Sequence, residues 1–139
     1  SGRGLFDRDR TLWCGFVVEG PSGRVYFAGD TGWGPHFEEV RRRFGPMRLA
    51  LLPIGAYRPR WFMRPVHVDP AEAVAAARVL EAGTSVGIHF GTFPQADDGI
   101  DEPVRDLGTA LADLRASGVA PPRFLALENG GSVPVPPAP

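Results

Sequence analysis

The stretch "VYFAGDTGWG", residues 25 to 34, runs from apolar residues straight into a carboxylate, Asp30, held between Gly29 and the Thr31-Gly32 pair. The apolar part reads as a strand, and the glycines permit the sharp bend that ends it. An aspartate in such a bend has an ordinary use, because its side chain can bond its own backbone and shape the turn. It has a second use when other polar side chains reach the same edge, since rigid strand ends facing a crevice are where layered sheets gather ligands. The elements around Asp30 decide between the two.

Upstream, Leu12 to Glu19 and Arg24 to Ala28 are apolar runs split by Gly20-Pro21-Ser22-Gly23, the pattern of an antiparallel hairpin. Downstream, Pro35 opens a helix with Phe37, Val40 and Phe44 on one face, acidic residues early, arginines late and Gly45 as its stop. "LALLPIG" (49 to 55) is a short continuous apolar run, as in a strand covered on both faces. A second helix is marked by Asp69 as N-cap, Pro70 in the first turn and Glu72 completing a capping box, with Val74, Ala77 and Leu80 inward and Gly83 at its end. "TSVGIHF" (84 to 90) reads as another covered strand. Pro103 opens a third helix with Val104, Leu107, Leu111 and Leu114 as its inner stripe, and "RFLALENGGSVPV" (123 to 135) predicts a last hairpin turning on Asn129-Gly130. Strands alternating with helices after an opening hairpin give a layered α/β or α+β fold.

With 139 residues, a formal charge of -1 and 43% hydrophobic residues, the chain has the composition for one modest core and lacks the positive excess of a nucleic-acid binder. All of its basic residues are arginine, the better partner for phosphate and carboxylate. One cysteine, Cys14, excludes an internal disulfide and four-cysteine zinc sites, and its setting in "LWCGFVVE" predicts inert packing in a buried strand. No apolar run is long enough to cross a bilayer and no signal peptide is present, so a cytoplasmic location is expected. The start, Ser1-Gly2-Arg3-Gly4, enters a strand pattern without a methionine and reads as a segment of something longer. The proline-rich end, residues 132 to 139, is expected to be an extended or disordered tail.

Asp30 follows one strand directly and His89 ends another, which places both at strand ends. Two such side chains fall short of the three or four protein ligands of a zinc site. His36, in the helix after Gly34-Pro35, reads as a solvated or capping residue. Asp30-Thr31-Gly32 is also the triplet of aspartic proteases, but those enzymes place a hydrophobic residue before it and Ser or Ala after it. Here Gly29 and Trp33 occupy those places, and three helices are marked.

Five words carry a further likeness: Leu12-Trp13-x-Gly15-Phe16, "FAGDTGW" (27 to 33), "RFGP..LALLPIGAY.PRWFM" (43 to 63), "HVDPAEAV" (67 to 74) and "IHFGTF" (88 to 93). In this order and spacing the chain resembles the C-terminal half of a metallo-β-lactamase-fold hydrolase, and most the N-acyl-phosphatidylethanolamine phospholipase D group and its bacterial relatives. The likeness runs from Ser1 to about Asp106. It implies half of a four-layer αββα sandwich over residues 1 to 131, with 132 to 139 as the tail, and a site for two zinc ions between the sheets. It further implies that Asp30 is the bridging carboxylate, His89 a ligand of the second metal, and His67 a residue that meets the substrate phosphate without binding metal. The implied chemistry is hydrolysis of a phospholipid or other phosphodiester by a hydroxide held on two metals. The H-x-H-x-D-H motif that supplies most ligands in the family is absent here.

"AYRPRWFMRP" (56 to 65) bears on the substrate, because Tyr57, Trp61 and Phe62 alternate with Arg58, Arg60 and Arg64. Aromatic groups against acyl chains and guanidinium groups on lipid phosphates would suit peripheral contact with a membrane. Packing of Trp61 and Phe62 onto the core is the competing reading. A lactonase or another hydrolase with the same metals, and an inert half-domain remnant, stay open as alternatives. A homodimer is a further expectation.

Overall fold

The computed structural model describes residues 13 to 137. Five strands form one sheet in the order β1-β2-β3-β4-β5. β1 (Phe16–Gly20) and β2 (Gly23–Phe27) are the antiparallel hairpin predicted from the Gly-Pro-Ser-Gly turn, with Gly20 opposite Gly23. The Leu12 end of the expected first strand lies outside the described residues. β3 (Leu49–Pro53), β4 (Thr84–Ile88) and the two-residue β5 (Phe124–Leu125) then add in parallel.

The crossovers are helical. α1 (His36–Phe44) carries Glu38 and Glu39 in its first turn and Arg41 to Arg43 in its last, which complements the helix dipole at both ends. α2 (Arg60–Met63) is a single turn in a stretch that carries no helical period in the sequence. α3 (Pro70–Val79) has the full capping box, the Glu72 amide donating to Asp69 Oδ1 at 2.8 Å and the Asp69 amide to Glu72 Oε2 at 3.2 Å. α4 (Glu102–Ala116) follows β4.

All packing of helix on sheet falls on one side. Tyr26, Ala50, Leu52 and Phe124 point to that side and form one buried cluster with Phe37, Val74, Ala77, Leu80 and Leu107 from the helices. The residues paired on the opposite side, Phe16 with Phe27 and Val18 with Val25, belong to an apolar face that stays open among the described residues: Phe16 is 58% and Val18 61% exposed. Half-buried Leu49, Leu51, Val86 and Ile88 continue this face across β3 and β4. Contiguous open apolar area of this kind marks a contact surface.

Three expectations need correction. Cys14 is exposed, not buried in a strand, because the ladder starts only at Phe16 and its partner strand turns away at Gly29, whose φ is 64°. Val104 is 43% exposed; the inner stripe of α4 runs instead through Pro103, Leu107, Ala110, Leu111 and Leu114. The turn at Asn129-Gly130 forms, with the Gly131 amide donating to Glu128 O at 2.8 Å, but no hairpin strand follows it among the described residues. Pro134, Pro136 and Pro137 have no N–H to give a ladder, and this segment is fastened by side chains: Arg48 donates to the carbonyls of Val135 and Pro136 at 2.6 and 2.9 Å, and Arg123 to that of Pro134 at 3.3 Å.

The one-sided core gives a contrast that unfolding in denaturant would read. Leu52→Ala, at a fully buried position, is expected to cost about 2–5 kcal/mol. Val18→Thr on the open face should change stability by no more than about 0.5 kcal/mol.

Candidate metal centre at the strand ends

Parallel pairing carries the C-terminal ends of β2, β3 and β4 to one edge, and the segments leaving them build the site. Beyond β2, Ala28 still donates to Leu51 O at 3.0 Å before the chain bends at Gly29. Beyond β3, the Ile54 amide donates to Ile88 O at 3.1 Å, which keeps Gly55 beside the end of β4. His89 follows with a φ of 63°, a left-handed conformation that costs a β-carbon-bearing residue about 1–2 kcal/mol. The backbone of Gly55 packs directly against it, since an added β-carbon there would come within 2.2 Å of His89 O.

The result brings the two strand-end residues together. Asp30 Oδ1 lies 3.4 Å from His89 Nε2, with the aspartate side chain 61% exposed and the histidine largely covered. His67, from the loop between α2 and α3, stacks on His89 with ring centroids 5.0 Å apart and planes 29° from parallel. That loop is tied to the Asp30 bend by the Val68 amide, which donates to Thr31 O at 2.8 Å. A β-carbon on Gly32 would meet Pro65 O at 2.5 Å, so the two segments touch through backbone alone. A hollow of about 140 Å³ opens beside His89, walled in part by Ala56, Phe90, Phe93, Asp98 and Ile100.

Two ligands on one tetrahedral zinc, each at roughly 2.0–2.1 Å, sit about 3.3 Å apart. The Asp30–His89 separation fits that spacing, and it is long for a direct hydrogen bond. The buried Nδ1 atoms of His89 and His67 have no hydrogen-bond partner among the described residues, a condition costing about 1–3 kcal/mol per group when nothing fills it. By the spacing of Oδ1 and Nε2, Asp30 and His89 could hold a metal, as two of its protein donors. No group of three or more His, Cys, Asp or Glu side chains gathers among the described residues. Burial, and then His89 beside it, hold His67 below the ordinary histidine value, with Asp30 and Asp98 acting in the opposite sense. Its ring is neutral at pH 7 and offers one lone pair.

Of the residues expected to line the substrate path, two turn inward. Tyr57 is buried and donates to Asp106 Oδ2 at 2.6 Å; burial first, and this bond second, push its hydroxyl pKa far upward. Arg60 donates to His67 O and to Glu72 Oε2, both at 2.8 Å. Trp61 and Phe62 point out, 84% and 63% exposed, with their rings edge to face at 5.7 Å. Arg58 is engaged by Glu102 and Asp106, which leaves Arg64 the most open arginine of this stretch. Sequence periodicity could not foresee the inward turn of Tyr57, since its partner Asp106 lies 49 residues further on.

His36 lies near this site without joining it. Its Nε2 is 3.1 Å from Thr31 Oγ1, and its ring packs on Phe37 with centroids 4.1 Å apart. Thr31 Oγ1 also donates to Gly32 O at 2.8 Å, so the pair stiffens the bend that carries Asp30.

Comparison with known proteins agrees with this architecture. The family model for the beta-lactamase superfamily domain matches residues 1–90. N-acyl-phosphatidylethanolamine-hydrolyzing phospholipase D 1 of Caenorhabditis elegans is 43% identical over 114 residues, 81% of this chain and 32% of the relative. The mitochondrial N-acyl-phosphatidylethanolamine-hydrolyzing phospholipase D of Saccharomyces cerevisiae is 39% identical over 110 residues, 77% of this chain and 24% of the relative. The chain thus spans about a third or less of the length of these relatives. In structure, Igni18, a metallo hydrolase from Ignicoccus hospitalis, superposes with a TM-score of 0.61 at 24% identity over 91% of this chain and 47% of its own. The sheet with helices on one side is one half of the metallo-β-lactamase fold.

Two outcomes check the local physics. Gly55→Ala, forced against His89 O, is expected to cost about 1–3 kcal/mol or more and to displace His89, read by unfolding in denaturant and by the His89 ring signals. For His36, burial lowers the folded-state pKa from 6.5, with Glu38 opposing. The unfolded chain then binds more protons, so this contribution is intact above pH 6.5 and declines as pH falls below it. His36→Gln should flatten that part of the stability profile.

Proposed function

The chain belongs to the beta-lactamase superfamily, and from that membership we propose that it is the C-terminal half of a metal-dependent hydrolase, most specifically a phospholipase D-type phosphodiesterase. The single observation that carries the reading is the convergence of Asp30 and His89 at 3.4 Å on one edge of the sheet, with His67 stacked beside them. Residues 1 to 131 are proposed as the half-domain and 132 to 139 as its tail. The open apolar face of β1 to β4 is then where the other half of the sandwich packs.

In this reading Asp30 and His89 would hold metal, two zinc ions being the expected set, together with ligands from the other half. When bound, the metals supply Lewis-acid polarisation of the phosphodiester and an acidified water. Asp30 would suit a ligand position because it is anionic, short and set on a bend stiffened by Thr31 and His36. His67 presents a neutral ring whose stacking on His89 keeps it directed at the same crevice. It is proposed to hydrogen-bond the substrate phosphate. Trp61 and Phe62 stand on the rim of this loop and are proposed to contact acyl chains at a membrane surface, with Arg64 as the accessible cation. The similarity to the two phospholipase D relatives supports a phospholipid as the substrate class. The proposed contact is a peripheral one; no helix among the described residues is long and apolar enough to cross a membrane.

Residues 1 to 139 alone are expected to show no phosphodiesterase activity with added zinc, and to gain zinc binding and hydrolysis when the other half is supplied as a separate chain. In that complex Asp30→Asn and His89→Ala should lose bound zinc. His67→Ala should keep it while turnover falls about 10²–10³-fold, as when one hydrogen bond to the reacting group is removed. Strong zinc-dependent turnover by the isolated chain would overturn the half-domain reading, and loss of zinc from His67→Ala would reassign that residue as a ligand. Trp61 fluorescence should shift to the blue on anionic vesicles, less so at high salt, where the arginine contribution is screened.

A further inference from the structure

Arg60 has its guanidinium turned into the protein, 29% exposed, where it spans two elements. Nη1 donates to His67 O at 2.8 Å, Nη2 donates to Glu72 Oε2 at 2.8 Å, and Nε lies 3.4 Å from Asp69 Oδ2. The two carboxylates are the capping box of α3, each already tied to the other's backbone amide. They form an anionic seat that orients the guanidinium before it reaches the His67 carbonyl. The peptide unit that receives this bond is held from its other side as well, because the Val68 amide donates to Thr31 O at 2.8 Å, one residue beyond Asp30. The His67 amide in turn donates to Met63 O at 2.8 Å.

Both peptide units flanking the His67 α-carbon are therefore fastened. One link runs through Arg60 to the α3 cap, one to the Asp30 bend and one to α2. With its backbone fixed in this way, the His67 ring has little freedom besides its own side-chain rotation, and it rests on His89. A lysine in the place of Arg60 has no planar fork and could not serve the carbonyl and both carboxylates in fixed directions. We infer that Arg60 is a positioning residue for His67, coupling the cap of α3 to the orientation of that ring, and that it is not a phosphate-binding arginine of the substrate path. The functional part of this inference rests on the role proposed above for His67; the positioning itself does not.

The experiment compares Arg60→Gln, Arg60→Lys and, as a control on the same loop, Arg64→Gln, whose parent side chain is 77% exposed and 3.9 Å from Glu72. In the full chain labelled with ¹⁵N-histidine, only three imidazole rings contribute, and that of His36, which does not touch His67, serves as the internal reference. Arg60→Gln should move the His67 ring signals, Arg60→Lys should restore them only in part, and Arg64→Gln should leave them in place. In the complex of both halves, Arg60→Gln should lower kcat about 10–100-fold with KM unchanged, as expected when the support of a site residue is removed. Unmoved His67 signals in Arg60→Gln would overturn the inference. So would a raised KM at constant kcat, which would make Arg60 a substrate contact, or an unfolded Arg60→Lys chain, which would make it a folding requirement. Shifted His67 signals alongside an inactive wild-type complex would retain the positioning and remove the hydrolase reading instead.

Discussion

Backbone contact between the ends of β3 and β4 is the constraint from which the rest of this structure follows. Gly55 lies so near the His89 carbonyl that no β-carbon fits between them. The Ile54 amide, donating to Ile88 O, keeps the two strand ends in step. At this contact His89 takes a left-handed backbone conformation, and its ring lies 3.4 Å from Asp30 at the end of β2. Strain at a strand end persists only where surrounding packing over-determines it. Here a glycine on one side and the β2–β3–β4 ladder on the other do so.

A second constraint acts from the helix side. The capping box of α3 is a local device that most helices use for their own ends. In this chain its two carboxylates also seat Arg60, and through Arg60 they reach the His67 carbonyl. The α2 turn and the loop after it are thereby fixed at both margins, by the α3 cap and by the bond from Val68 to Thr31. The same turn leaves Trp61 and Phe62 outside, because α2 is a single turn whose inward direction is already taken by Arg60.

The sheet itself is finished on only one face. Helices α1, α3 and α4 close over Tyr26, Ala50, Leu52 and Phe124, whereas Phe16, Val18 and Phe27 on the other face meet no helix among the described residues. An arrangement in which apolar residues line both faces of the central strands and only one is covered is what a sheet looks like when its partner layer comes from elsewhere. The proposed two-half domain accounts for this face and for a site with two metal donors by the same omission.

Local chemistry made much of this legible from sequence alone. The hairpin was readable because two glycines bracket Pro21-Ser22, α3 because Asp69, Pro70 and Glu72 stand at cap spacing, and β3 and β4 because short continuous apolar runs have few other uses. The order of five linked words pointed to the family, which residues 1–90 match. What periodicity could not supply was any contact between residues distant along the chain. The inward turn of Tyr57 depends on Asp106, the exposure of Cys14 on where pairing begins, and the missing last hairpin on prolines that find Arg48 and Arg123 in place of a ladder. Arg60 shows the difference most clearly: in sequence it is one of several arginines among aromatics, and only the folded chain sets it between a helix cap and the carbonyl of His67. Sequence determines which segments take which local form, because caps, turns and apolar runs act over a few residues. Tertiary structure decides which side chains are spent on holding the fold and which remain free to act, because that depends on partners the chain brings together only by folding.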